Sequence, residues 1–61
     1  MYREEVVRDT GIEMTEAQFL LIDNYYQKAY NGTVNKKKIY AELKKHGIEE
    51  FCRKHKKYKL S

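Results

Sequence analysis

The chain has 61 residues, room for one domain with one small core, and a domain of this size buries only about 60% of the surface that its unfolded chain exposes. A single cysteine excludes an internal disulfide, and no apolar run approaches the roughly 18 residues of a membrane helix. Charged residues make up 36% and hydrophobic residues 41%, with no proline and a net charge of +4, a balance that suits a folded, very polar helical domain and not a disordered tail.

The first eleven residues carry weak signals. Tyr2 and Val6 stand four apart, as on a helix, and Gly11 is placed to close a short one, so a short N-terminal helix or arm is expected here. The clearest element follows. Thr15 and Gln18 form the T-x-x-Q capping pair that opens a helix. Phe19, Ile22, Tyr26, Ala29 and Tyr30 then recur on one face, widened by Leu21 and Tyr25, with Glu16, Asp23, Asn24, Gln27 and Asn31 opposite. Asn31-Gly32 suits a left-handed C-terminal cap, which sets this helix at about 15–31. The glycosylation triplet Asn31-Gly32-Thr33 is explained by the same turn.

Asn35 can cap a second helix, about 35–46, whose apolar stripe is Ile39, Tyr40 and Leu43 with His46 at its edge. Gly47 ends it. A third helix, about 48–59, has Glu49 and Glu50 at its positive end and lysines at its negative end. Its inner face is Ile48, Phe51, Cys52, His55 and Tyr58. The expected fold is all-α: one domain, 1–61, built as a compact bundle of three main helices plus the N-terminal helix or arm. The expected core is Phe19, Ile22, Tyr26, Ile39, Leu43, Ile48, Phe51 and Cys52.

Charge is divided along the chain. Residues 1–27 carry two arginines against six acids, and residues 28–61 carry eleven Lys/Arg against three, giving net charges of −4 and +8. A strongly basic half points to a polyanionic partner; a lysine-rich solvated surface is the plain alternative. Lys37, Lys38, Lys44 and Lys45 lie away from Ile39 and Leu43, and Arg53, Lys54, Lys56 and Lys57 lie away from Phe51. Lys36-Lys37-Lys38 opens a helix, where its charge opposes the dipole, so a role outside helix stability is expected for it. Phosphate contact is the natural one. The two C-terminal helices with their joint at Gly47 have the general layout of a helix-turn-helix. Ala41, however, lies six positions before Gly47, off the usual register, and Glu49 and Glu50 would face phosphates.

Tyrosine supplies six residues, and three of them, Tyr25, Tyr26 and Tyr30, share one helix. Such residues suit either the margin of a tiny core or a protein-binding surface. Leu20 sits between Asn24, Gln27 and Asn31, off the apolar face. Either the N-terminal segment covers it, through Tyr2 or Val6, or a second subunit does, as in a homodimer. His46, Cys52 and His55 are metal-ligand types, but three such groups fall short of the closed tetrahedral zinc set, and no metal or cofactor is expected. Cys52 lies on the core face without an orienting group for catalysis, and no phosphate-cradling glycine loop is present.

Binding, not catalysis, is the expected activity. The first reading is a small basic DNA- or RNA-binding regulator or accessory factor that contacts phosphates through Lys36, Lys37, Lys38, Lys44, Lys45, Arg53, Lys54, Lys56 and Lys57, with Tyr40 or Tyr58 available for stacking. The second is a protein-interaction module, an inhibitor or adaptor docking on a larger protein through Leu20, Leu21 and Tyr25. No membrane partner is expected. The start of the chain lacks the apolar stretch of a signal peptide, and with a lone thiol this makes a reducing cytoplasm the expected setting.

Overall fold

The computed structural model describes residues 1–30 and 36–60, apart from the side chains at positions 29 and 30. Among the described residues the chain forms α1 (Arg3–Thr10), α2 (Glu16–Tyr30), α3 (Lys36–His46) and α4 (Ile48–Lys54), followed by a 3-10 turn (Lys56–Tyr58). The fold is all-α, and the N-terminal segment takes the helical alternative, which makes four α-helices among the described residues.

Local chemistry sets most helix ends. α1 begins with Glu4 and Glu5 and ends with Arg8, matching its dipole. Gly11 closes it at φ 71°, donating its N–H to the Val7 carbonyl at 2.7 Å. Thr10 closes the same end from its side chain, donating to the Val6 carbonyl at 2.7 Å and accepting from the Ile12 N–H at 3.2 Å. Both halves of the capping box form at α2. The Thr15 N–H donates to Gln18 Oε1 at 2.8 Å, and the Gln18 N–H donates to Thr15 Oγ1 at 3.1 Å. The expected stop at Asn31-Gly32 and cap at Asn35 lie outside the described residues. Gly47, at φ 84°, ends α3 by donating to the Leu43 carbonyl at 2.8 Å and is the whole joint between α3 and α4. A side chain there would meet nothing within 4 Å, so the reason for glycine is the backbone angle and not space.

The core is Val6, Met14, Phe19, Leu21, Ile22, Tyr25, Ile39, Leu43 and Phe51. Five of the eight expected core residues, Phe19, Ile22, Ile39, Leu43 and Phe51, are buried. Tyr26, Ile48 and Cys52 are half-buried and pack against the core from outside. Tyr25 takes the place expected for Tyr26, because the C-terminal segment returns across the Leu21–Tyr25 flank of α2. Tyr25 meets Phe51 edge-on at 5.6 Å, His55 at 4.1 Å and Tyr58 edge-on at 5.1 Å between ring centres.

That return corrects the expected third helix. The α-helix stops at Lys54, and His55 takes φ −112°, ψ 31°. The tighter 3-10 turn then sets Tyr58 against α2, where its carbonyl accepts from Asn24 Nδ2 at 2.9 Å. The radius of gyration is 10.2 Å, close to the roughly 10.5 Å of a compact chain of this length.

Phe51 is the largest fully buried side chain. Replacing it by alanine is expected to cost about 3–5 kcal/mol, on the order of all the stability that a core this small supplies. The check is a urea or thermal melt. The cooperative transition should be lost or sharply lowered, and parent-like melting would contradict this packing.

Candidate nucleic-acid interface

The basic residues divide by what they touch. α3 buries Ile39 and Leu43 and turns Lys37, Lys38, Ala41, Lys44 and Lys45 to solvent, all of them exposed. No carboxylate interrupts that outward face. Glu42, the one acid of α3, lies on the flank toward α4. There it accepts from His55 Nε2 at 2.7 Å and has Lys54 Nζ at 3.8 Å. On α4 the outward face is mixed, since Glu49 and Glu50 share it with Arg53, and Arg53 pairs with Glu50 one turn earlier.

At least three of the nine cations expected to meet phosphate therefore already have acidic partners among the described residues. Lys36 donates to Glu5 at 2.8 Å, tying the start of α3 to α1. Arg53 is held by Glu50 and Lys54 by Glu42. Lys36 thus has a structural role that its position in a lysine run does not reveal. Lys57 Nζ stands 5.2 Å from the centre of the Tyr58 ring. Lys38, Lys44, Lys45 and Lys56 are exposed and have no ion pair among the described residues.

The proposed stacking tyrosines belong to the margin of the core. Tyr58 is half-buried against Tyr25. Tyr40 is half-buried as well, and its hydroxyl is fully covered, with no hydrogen bond of normal geometry among the described residues and only a weak interaction with the Asp9 carboxylate. Burial, and then the nearby charges of Asp9 and Glu5, push its pKa above the ordinary 10.0.

The residues considered for protein contact separate in a similar way. Leu21 and Tyr25 are buried, at 4% and 6% exposure, which leaves Leu20 at 36%. Of the two residues expected to cover Leu20, Tyr2 is itself 74% exposed and Val6 belongs to the core, and Leu20 stays among the exposed large hydrophobic residues. The backbone nitrogen of Met1 does reach α2, 3.7 Å from Asp23.

Among the metal-ligand types, His55 is engaged by Glu42, His46 is exposed at the end of α3, and Cys52 is half-buried. Burial raises the Cys52 thiol above its ordinary 9.0, which keeps it neutral near pH 7. No cluster of three metal-binding side chains occurs among the described residues, and no described helix is long and apolar enough to cross a membrane. A helix-turn-helix joins its helices through three or four residues, whereas α3 and α4 are joined by Gly47 alone. No protein-family model, curated protein or solved structure matches this chain.

Two measurements follow from these contacts. The hydrogen bond and charge of Lys36 hold the Glu5 carboxyl below its ordinary 4.5, and the hydrogen bond to Glu5 raises Lys36 above its ordinary 10.5. A depressed carboxyl gives stability that is present above its ordinary value and lost as pH falls through its folded value. A raised ammonium gives stability that is present below its ordinary value and lost as pH rises through its folded value. Urea unfolding should show parent and Glu5→Gln differing most between pH 4.5 and 10.5 and converging on either side. A difference that persists in acid would mean that Glu5 acts otherwise than through its charge.

Removing this weakly engaged hydroxyl in Tyr40→Phe should leave stability unchanged or raise it by up to about 1–3 kcal/mol. A loss in the same unfolding assay would show that the hydroxyl makes a full hydrogen bond after all.

Proposed function

We propose that this protein binds nucleic acid through its phosphates, with the outward face of α3 as the principal contact. The observation that carries this reading is the run of Lys37, Lys38, Lys44 and Lys45 along one exposed face that holds no acid. Phosphate oxygens accept from ammonium groups without regard to base identity, so such a face gives affinity and orientation more than sequence choice. Lys56 and Lys57, on the C-terminal turn, add to the positive field. The acids among the basic helices are partly neutralised from within, Glu42 by Lys54 and Glu50 by Arg53, and Glu42 also accepts a hydrogen bond from His55. A major-groove reading helix is disfavoured, since the candidate, α4, opens with Glu49 and Glu50.

The test is a titration against random duplex DNA and single-stranded RNA at several salt concentrations. If about four to six phosphates are neutralised, log affinity should fall with log salt at a slope of roughly −3 to −5. Charge reversal at Lys38, Lys44 and Lys45 should weaken binding to all sequences alike while helical content is unchanged. Binding indifferent to both salt and these reversals would overturn the reading.

A further inference from the structure

We propose that a groove between the start of α2 and the C-terminal segment docks an acidic peptide segment of a partner protein, seating an apolar side chain on its floor and carboxylates on its rim. The groove is an open concavity of about 350 Å³. Ala17 and Leu21 from α2 and Cys52 from α4 form its apolar floor, and Arg53, Lys56 and Lys59 stand along one side. Burial keeps the Cys52 thiol neutral, so the floor carries no charge of its own. No carboxylate lines the groove. Arg53 is shared with Glu50, but Lys56 and Lys59 have no ion pair among the described residues. Two exposed leucines adjoin lining residues in sequence: Leu20, next to Leu21, is 36% exposed, and Leu60, next to Lys59, is 59% exposed.

The two halves of the groove choose the occupant together. A cationic rim alone would suit any polyanion, but a nucleic-acid backbone brings nothing apolar to a floor of alanine, leucine and thiol. An apolar floor alone would suit any greasy side chain, but the cations on its rim favour one flanked by negative charge. The volume is at the lower end of the roughly 300–1,000 Å³ of small-molecule pockets, and the trough is open. It therefore fits one large side chain of a peptide better than an enclosed ligand. The site shares Lys56 with the positive field described above but is otherwise distinct from the outward face of α3, and it does not rest on the nucleic-acid reading.

The probe is an end-blocked synthetic peptide of glutamates flanking a central Leu-Phe pair, titrated into the isotope-labelled protein and followed by amide chemical shifts. Saturable shifts are expected at Ala17, Gln18, Leu21, Cys52, Arg53 and Lys56. Affinity should fall by about tenfold or more when the Leu-Phe pair is replaced by serines. The same fall is expected in Ala17→Glu and in the double variant Lys56→Glu, Lys59→Glu. These sites are exposed, and a glutamate suits the first turn of a helix, so circular dichroism should show intact folds. The proposal is overturned if no groove amide shifts at millimolar peptide, if the shifts centre on the α3 lysines, or if the serine peptide binds as well. It is overturned equally if groove amides move with protein concentration alone, which would make the occupant a second copy of the chain, or if duplex DNA produces the same groove shifts.

Discussion

The burial of Phe51 holds the C-terminal third of the chain in place. Gly47 leaves one residue in which to turn from α3 into α4, and its left-handed φ of 84° directs α4 back along its predecessor. Phe51 then fills the space between α2 and α3, with the edge of Tyr25 at 5.6 Å and His55 at 4.6 Å. His55 lies on Tyr25 at 4.1 Å and donates from Nε2 to Glu42 of α3 at 2.7 Å. One ring thus connects three helices, and each contact supports the next. The break after Lys54 has the same origin, since the 3-10 turn lays Tyr58 on Tyr25 and brings its carbonyl to Asn24. Contacts shared in this way are coupled, so their loss is not additive.

The acidic half of the chain has a folding role of its own. Glu5 reaches Lys36 and so joins α1 to α3, while Arg3 binds the Met14 carbonyl at 3.3 Å and Glu16 at 3.2 Å, joining α1 to the start of α2. These are half-exposed pairs, and pairs of this kind give orientation more than stability. Their larger effect is on the charge that remains. Carboxylates of α1 and α3 occupy Lys36 and Lys54 at helix margins, and the positive charge left outside lies on the outward face of α3 and on the C-terminal segment at Lys56, Lys57 and Lys59.

Features governed by near neighbours in sequence were legible before the structure. Thr15 and Gln18 lie within one turn and form both bonds of their capping box. Gly11 and Gly47 close helices because a left-handed backbone is a local property. Ile39 and Leu43 are buried as their spacing requires. What was not legible depended on distant partners. Periodicity places Tyr25 and Tyr26 on one broad face, and the side on which α4 returns decides which is buried. The 48–59 helix reads as continuous because no proline or glycine interrupts it, yet packing of His55 and Tyr58 against α2 outweighs that propensity. Lys36 reads as a free cation because its partner, Glu5, is 31 residues away. Leu21 and Tyr25 read as contact residues for the same reason: the segment that covers them is the far end of the chain.

The direction of charge along each helix separates folding from recognition. α1 opens with Glu4 and Glu5 and closes with Arg8; α2 opens with Glu16 and closes with Lys28; α4 opens with Glu49 and Glu50 and closes with Arg53 and Lys54. These residues follow the helix dipole, although Arg3 begins α1 and Asp9 lies in its last turn. α3 has no acid in its first turn and opens instead on three lysines. Glu5 accounts for the first of them. Lys38 is exposed and opposes the dipole with no compensating pair among the described residues. The last turn of α3, with Lys44, Lys45 and His46, obeys the same rule, so the departure is confined to its first turn, where local stability does not account for Lys38. The positive end of a helix carrying added positive charge is well matched to an anion, and among anions the regularly spaced phosphates of a nucleic acid suit lysines set along both ends of one face.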